Sequence, residues 1–279
     1  MASEYIAARS TGEVLAALAD GNTCVLAGGQ SLVLDVTNGD ARPGRVVDIN
    51  RVAEFDVLAE ADGMLRVAPL VRHRTFETQA VGGALGNLFR AIVGHIGHPP
   101  IRARGTMLGS LAYAHPAAEW PVMATMLDAQ LDLIGPAGRR TLTAGQFFTG
   151  PFSTARRPEE LLAEVRLPLL PAGTGAGFAE HRPHRVKFAE VAAMAAVTVT
   201  DGLVTAAAIG LVNAGPCPVR ARAAENALIG STFSDAAIIA AAEAASNLDA
   251  HANHRPGAHR RDALTVLTRR ALTQARDGL

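Results

Sequence analysis

The chain has 279 residues, 49% of them hydrophobic and 19% charged, enough apolar material for two or three packed units and too much for wholesale disorder. Lysine plus arginine equals aspartate plus glutamate at 26 each, which removes the electrostatic case for a nucleic-acid or anionic-membrane binder. Two cysteines, Cys24 and Cys217, are too few for a disulfide framework, a four-thiolate zinc site or an iron–sulfur cluster.

The N-terminal MASEYIAARS lacks a basic stretch followed by a long apolar one, so no signal peptide is expected. The alanine-rich run Val191–Val199 is far short of the roughly 20 apolar residues a membrane span needs. No membrane span and a cytoplasmic location are expected.

Tyr5–Ala8 reads as a short strand, and Thr11 as the N-cap of a helix running to Asp20 with Val14, Leu15 and Leu18 at helical spacing. Cys24–Ala27 is an apolar strand that runs into Gly28-Gly29, and Arg45–Asn50 is another, giving a β–α–β core with a glycine turn at a strand end. Leu65–Leu70 reads as a strand and Ala84–Ile96 as a helix with Leu85, Leu88, Phe89, Ile92 and Val93 on its apolar face. A glycine-rich segment, Arg104–Ala112, precedes a helix over Ala117–Leu127 that holds Pro121 in its first turns. Gln130–Ile134 and Arg140–Thr143 form a hairpin about Gly135-Pro136-Ala137-Gly138, and Leu161–Leu167 is the last strand before a Pro/Gly-rich boundary at Pro168–Gly177. Beyond it come a hairpin, Val191–Thr200 and Leu203–Val212 about Asp201-Gly202, and helices near Val219–Leu228, Ser234–Ser246 and Arg261–Arg276.

Two glycine segments carry the chemistry. In Val25-Leu26-Ala27-Gly28-Gly29-Gln30-Ser31-Leu32 a strand opens into a turn that can aim successive main-chain N–H groups at one point, an anion nest suited to a pyrophosphate. It matches neither GxGxxG nor a nucleoside-triphosphate loop. The second, Arg104–Glu119, offers Gly105 and Gly109 for close main-chain approach, hydroxyls on Thr106 and Ser110, and the Glu119 carboxylate for a ribose or ribityl hydroxyl. Two such loops suggest a ligand with a long polar linker, such as a dinucleotide.

The order AGGQSL at 27–32, VDINRV at 47–52, Ile101-Arg102-Ala103-Arg104-Gly105-Thr106 leading to Gly109, Glu164–Pro168 (EVRLP) and Phe188-Ala189-Glu190-Val191 resembles the FAD-binding medium subunit of the molybdenum hydroxylases. That is the carbon monoxide dehydrogenase and xanthine dehydrogenase type. The resemblance implies an α+β fold: a two-subdomain FAD-binding domain of the vanillyl-alcohol oxidase type, over 1–54 and 55–170, and a C-terminal antiparallel-sheet-and-helices domain over 175–279. It places non-covalent FAD against Val25, Leu26, Ala27, Gly28, Gly29, Gln30, Ser31 and Leu32, with the pyrophosphate on the amides of Ala27–Ser31. From the second loop it implies Thr106, Gly109, Ser110, Ala112 and Glu119. Ile101 would lie near the flavin, and Leu161 or Leu162 would meet the isoalloxazine edge.

The resemblance also implies partners: a large molybdopterin-binding subunit that oxidises the substrate, a small subunit with 2Fe–2S clusters, and a dimer of heterotrimers. This chain would pass electrons from those clusters to an external acceptor, with no catalytic side chain and no metal of its own. Part of the subunit contact is expected from the alanine-rich hairpin Val191–Val212 and from Arg269, Arg270 and Arg276, the alternative for these arginines being a solvated helix face. The alternatives are a stand-alone flavoprotein oxidoreductase of the same fold and a scaffold subunit that has lost FAD.

Three positions depart from the family pattern. Leu108 stands where a glycine is usual, which strains the loop if that position needs a left-handed backbone. His115 replaces the aspartate before Pro116, and Glu180, His181 and Arg182 occupy the area of a family lysine.

Other residues have plainer readings. The pairs His95/His98, His181/His184 and His251/His254 lie in no metal motif and read as loop and cap histidines, with His98 or His115 a possible touch on phosphate or ribose. Cys24 and Cys217 read as inert thiols, and Tyr113 as either core packing or a border to the flavin. A side chain at Gly29 is expected to block the pyrophosphate while leaving the fold intact.

Overall fold

The computed structural model describes residues 3–183, 188–247 and 258–279. The chain divides into two compact units, one of Met1–Thr75, His98–Ala114 and Asp128–Pro168, the other of Phe76–Gly97, His115–Leu127 and Leu169–Leu279.

In the first unit the apolar runs near the N-terminus build a three-stranded sheet in the order Glu4–Ala7, Arg45–Asp48, Thr23–Leu26, with Ile6 and Val25 both opposite Val47. Both pairings are parallel, so each needs a crossover, and the helices Thr11–Leu18 and Leu32–Asn38 lie in those connections. The first helix buries Val14, Ala17 and Leu18 with Ala8, Val47, Ile49 and Phe55. Its N-cap is Ser10 rather than Thr11: the Ser10 hydroxyl accepts from the Glu13 N–H at 3.3 Å, while the Thr11 hydroxyl donates to Glu54 at 2.5 Å.

A second, antiparallel sheet runs Leu58–Ala61, Met64–Val67, Leu161–Pro168, Gln130–Gly135, Gly138–Thr143. The strand expected to continue to Leu70 stops at Val67, where Ala68 donates to Val57 and Pro69 has no N–H to give. Leu58–Ala61, poor in β-branched residues, is held by the Asp62-Gly63 turn, both residues at positive φ (52° and 72°).

The second unit is built on an antiparallel sheet in the order Thr174–His181, Val191–Thr200, Leu203–Val212, Val219–Arg220. The helices Arg222–Leu228, Asp235–Ser246 and Ala258–Asp277 share one core with it, and Gly83–Val93 and Glu119–Met126 pack against the strands as well. Phe76, Phe89 and Trp120 meet with ring centroids 4.8 to 5.7 Å apart.

Three expectations are corrected here. Val191–Thr198 is buried at every position, because a sheet covered on both faces reads as a continuous apolar run. The alanine hairpin is therefore core and presents little beyond its exposed tip, Leu203, Thr205 and Ala206, while Arg276 is paired with Asp235 at 2.6 Å. The Pro/Gly stretch at 168–177 is not all linker, since a strand starts at Thr174 and uses Gly175 and Gly177 to let the last helix lie on it. Val219–Leu228 is a two-residue strand followed by a helix.

His184, Lys187, His251 and His254 lie outside the described residues. Among the described residues, no helix is long and apolar enough to cross a membrane.

Candidate functional site

The first glycine turn leaves the sheet after Leu26, whose carbonyl accepts from the Ile49 N–H at 3.1 Å. Gly28 is buried against the second segment: a β-carbon there would stand 2.3 Å from the Arg104 carbonyl oxygen and 2.7 Å from the Gly105 Cα. Gly29 has φ +74°, a left-handed conformation natural to glycine. Gln30 folds back, its Nε2 donating to the Gly28 carbonyl at 3.1 Å, and Ser31 starts the helix Leu32–Asn38 with no side-chain cap bond.

This geometry leaves donors to spare. Among the described residues, the N–H groups of Gly29, Gln30 and Ser31 donate to no protein acceptor. Three successive unsatisfied amides on a left-handed turn are the chemistry an anionic pyrophosphate requires, so the turn fits FAD.

The second segment is more ordered than a glycine-rich loop. The short helix Pro99–Arg104 carries Ile101, half-buried, and tolerates two prolines because they fall in its first turn. Gly105 donates to the Ile101 carbonyl at 2.7 Å and accepts from the His73 N–H at 2.9 Å. A β-carbon at Gly105 would stand 2.7 Å from the His73 ring, whose burial, with Arg102 and Arg72 adding, pushes its pKa down to about 3.

From Met107 to Tyr113 the chain is helical, capped by Thr106, whose hydroxyl accepts from the Gly109 N–H at 3.0 Å. Met107, Leu108 and Leu111 are its buried face. Leu108 is an ordinary helical residue, so replacing a glycine there needs no left-handed backbone and strains nothing. Gly109 and Ala112 are exposed and Ser110 is half-buried. Tyr113 packs edge-on against Phe152 (centroids 5.3 Å) and donates to Asp35 at 3.0 Å, tying this helix to Leu32–Asn38.

Leu161 and Leu162 are each 4% exposed, and Leu161 belongs to the core with Ile49, Phe55 and Leu70. What these two have left to offer a ligand is main chain. Val25, Leu26 and Ala27 are half-buried and lead into the turn, and Leu32 opens its helix.

Glu119 belongs to the second unit, at the start of the helix Glu119–Met126 and 4% exposed. Burial pushes its carboxyl up to about 8, with Glu180 raising it further and Arg182 opposing. In the same unit His115, which stands where the family pattern has an aspartate, is itself an acceptor: its Nδ1 accepts from the Ala117 N–H at 3.0 Å. That bond requires a neutral ring, in keeping with a pKa lowered by burial, and the ring stacks on Phe188 at 3.8 Å.

Where the family lysine would fall, Glu180 pairs with His95 Nδ1 at 2.6 Å and with Arg182. His98 is an exposed N-cap for Pro99–Arg104. Cys24 and Cys217 are half-buried thiols whose pKa burial raises, the opposite of an activated nucleophile.

A parallel sheet whose strand end opens into a turn of spare amides, backed by a second capped helix, defines a protein that holds a dinucleotide-type cofactor. Residues 1–170 match the FAD binding domain in molybdopterin dehydrogenase, and residues 177–275 match the CO dehydrogenase flavoprotein C-terminal domain. The chain belongs to the FAD-binding medium subunits of the molybdenum hydroxylases, and is thus part of an oxidoreductase.

The chain is 34% identical over 277 residues to the 6-hydroxypseudooxynicotine dehydrogenase complex subunit alpha of Paenarthrobacter nicotinovorans, covering 98% of this chain and 94% of that one. It is 29% identical over 244 residues to the carbon monoxide dehydrogenase medium chain of Hydrogenophaga pseudoflava, covering 87% and 85%. A solved structure of the carbon monoxide dehydrogenase of that organism, lacking the Mo-pyranopterin moiety of its molybdenum cofactor, contains a chain that superposes with a TM-score of 0.91. That match has 30% identity and covers 99% of this chain and 98% of the other.

Proposed function

We propose that this subunit conducts electrons, taking them from 2Fe–2S clusters on a small partner subunit and delivering them to an external acceptor, while a large molybdopterin subunit oxidises the substrate. Bound FAD supplies a carrier that exchanges electrons singly or in pairs. The observation that carries the reading is the set of spare amides at Gly29, Gln30 and Ser31.

The chain's own work is binding and orientation. The amides of the first turn hold the pyrophosphate, with Val25–Leu32 forming its bed. Thr106 keeps one hydroxyl hydrogen to donate after capping Gly109, and Ser110, Gly109 and Ala112 line the same segment. Ile101 and the main chain of Leu161 and Leu162 are assigned to the flavin end. No side chain needs to act as acid or base for electron transfer.

We extend the proposal to the assembly, two copies each of large, medium and small subunits, and keep 1–54, 55–170 and 175–279 as the working domains. The family matches, ending at 170 and resuming at 177, support the last boundary.

The test is stopped-flow mixing of substrate with the purified complex and with this chain alone. Flavin bleaching near 450 nm is expected only when both partners are present. Substrate oxidation by the isolated chain would overturn the subunit reading in favour of a stand-alone flavoprotein.

A further inference from the structure

Arg72 sits between the two glycine segments without belonging to either. Its residue bridges Thr106 in a short antiparallel contact, flanked by the His73 N–H bond to Gly105 and the Met107 N–H bond to Val71. The half-buried guanidinium then divides. Nη1 donates to the Arg104 carbonyl at 2.6 Å, and Nη2 donates to Asn50 Oδ1 at 2.6 Å.

Asn50 passes the contact on. Its Nδ2 donates to the Ala27 carbonyl at 2.8 Å and to Asp48 at 2.6 Å, and Asp48 also accepts from the Asn50 N–H at 2.8 Å. The amide is thereby fixed, with its oxygen toward Arg72 and its nitrogen toward the first turn. One planar fork therefore spans from Ala27, just ahead of the first turn, to Arg104, just ahead of the second segment.

Burial, with the Arg104 charge beside it, disfavours a cation at Arg72, so the two hydrogen bonds offset a real desolvation cost. The place it bridges is also where the two segments touch, since Gly28 leaves no room for a methyl group against Arg104.

We propose that Arg72 is a positioning residue for FAD: through Asn50 and Arg104 it sets the spacing and angle between the turn 27–31 and the segment 104–110. This rests on the FAD reading above. The planar fork of the guanidinium, and not its charge, sets this spacing. A lysine in the same place keeps the charge but cannot reach two acceptors in one plane.

The experiment titrates FAD into the deflavinated full-length chain, following flavin fluorescence, for the natural protein, Arg72→Ala and Arg72→Lys. Thermal unfolding of each apoprotein is measured alongside. Arg72→Ala is expected to weaken FAD binding roughly 30- to 100-fold, and Arg72→Lys nearly as much, as two charge-assisted hydrogen bonds are lost or halved.

Low-millimolar guanidinium, well below denaturing levels, is expected to restore about tenfold of the Arg72→Ala affinity by refilling the fork, with sodium chloride as the control. A residue that merely stabilised the fold would show no such rescue. Arg72→Lys binding FAD like the natural chain overturns the proposal in favour of a charge effect. Arg72→Ala binding FAD normally, or failing to respond to guanidinium, also overturns it. A natural chain that takes up no FAD overturns the underlying FAD reading, an outcome separate from any difference among the variants.

Discussion

The Cα of Gly28 rests on the main chain of Arg104 so closely that a β-carbon would stand 2.3 Å from the carbonyl oxygen. The neighbouring Gly29 has a different reason to be glycine: its β-carbon would meet only Leu26 and Val33 at 3.3 Å, but its φ is +74°. Gly28→Ala must therefore push the two segments apart, and we expect it to cost about 1–3 kcal/mol of apoprotein stability along with most FAD affinity. Gly29→Val adds the strain of a β-branched residue in the left-handed region, of order 1–2 kcal/mol or more, so it weakens folding as well as binding. This revises the expectation that Gly29→Val leaves the fold intact. Urea unfolding of the apoproteins with FAD titration checks both, and a Gly28→Ala chain matching the natural one on both counts would refute the contact.

At His115 the chain keeps a turn while changing its chemistry. The Nδ1 acceptor does for the Ala117 N–H what the family's carboxylate would do in that place. His115→Asp should be tolerated within about 0.5 kcal/mol, while His115→Leu should lose about 1 kcal/mol or more by stranding that N–H. Thermal unfolding of the two variants decides it, and equal losses would show that ring stacking on Phe188 is what counts.

Much of this arrangement was legible in advance because the signals were local. The hairpin Val191–Thr200 and Leu203–Val212 has the ends its sequence predicts, since Asp201 and Gly202 both take positive φ (52° and 78°) in a tight turn. The Gly28-Gly29 turn showed itself for the same reason.

Where two local signals compete, the sequence pattern misleads. Gly105 and Gly109 suggested a loop, but Thr106 before Met107 and Leu108 is a helix N-terminus, and the cap prevailed. The short helix Pro99–Arg104 is missing from the sequence-based expectations, since six residues opening on two prolines carry no periodic apolar pattern. The Arg72 fork joins residues 22 and 32 positions away, and no local pattern announces it. The burial of Leu161 likewise depends on a sheet order that brings Leu161–Pro168 between two earlier strands.

In the second unit, two glycines fix how the last helix lies. A β-carbon at Gly175 would fall 1.7 Å from the Ala275 carbonyl oxygen, and one at Gly177 would fall 2.1 Å from that of Ala271. Neither contact can be relieved by a rotamer change, because main chain faces main chain. Gly177→Ala should lift Ala258–Asp277 off the sheet and cost at least about 2–3 kcal/mol, with the FAD turn in the first unit untouched. Urea unfolding should show a lowered midpoint. A variant as stable as the natural chain would mean the helix shifts without penalty.

Opposed pH dependences follow from His73 and Glu119. The His73 ring titrates near 6.5 when unfolded and near 3 when folded, so the unfolded chain holds the extra proton between those values. Its contribution is fully present above 6.5 and is lost as pH falls toward 3. Glu119 titrates near 4.5 unfolded and near 8 folded, so the native state holds the extra proton, and its contribution is lost as pH rises from 4.5 to 8. Between pH 4.5 and 6.5 the two slopes cancel, each up to about 1.4 kcal/mol per pH unit.

The His73 and Glu119 contributions should therefore cancel from pH 4.5 to 6.5, leaving the shallower rise with pH that the burial-lowered His115 supplies, and apoprotein stability should fall toward pH 8. Relative to the natural chain, His73→Asn should tilt the profile between 4.5 and 6.5 toward a decline with rising pH. Glu119→Gln should tilt it toward a steeper rise, and the loss between 6.5 and 8 should vanish. Urea unfolding midpoints across pH 4.5–8 measure this, and a Glu119→Gln profile that parallels the natural one would show that Glu119 is ionised in the folded protein.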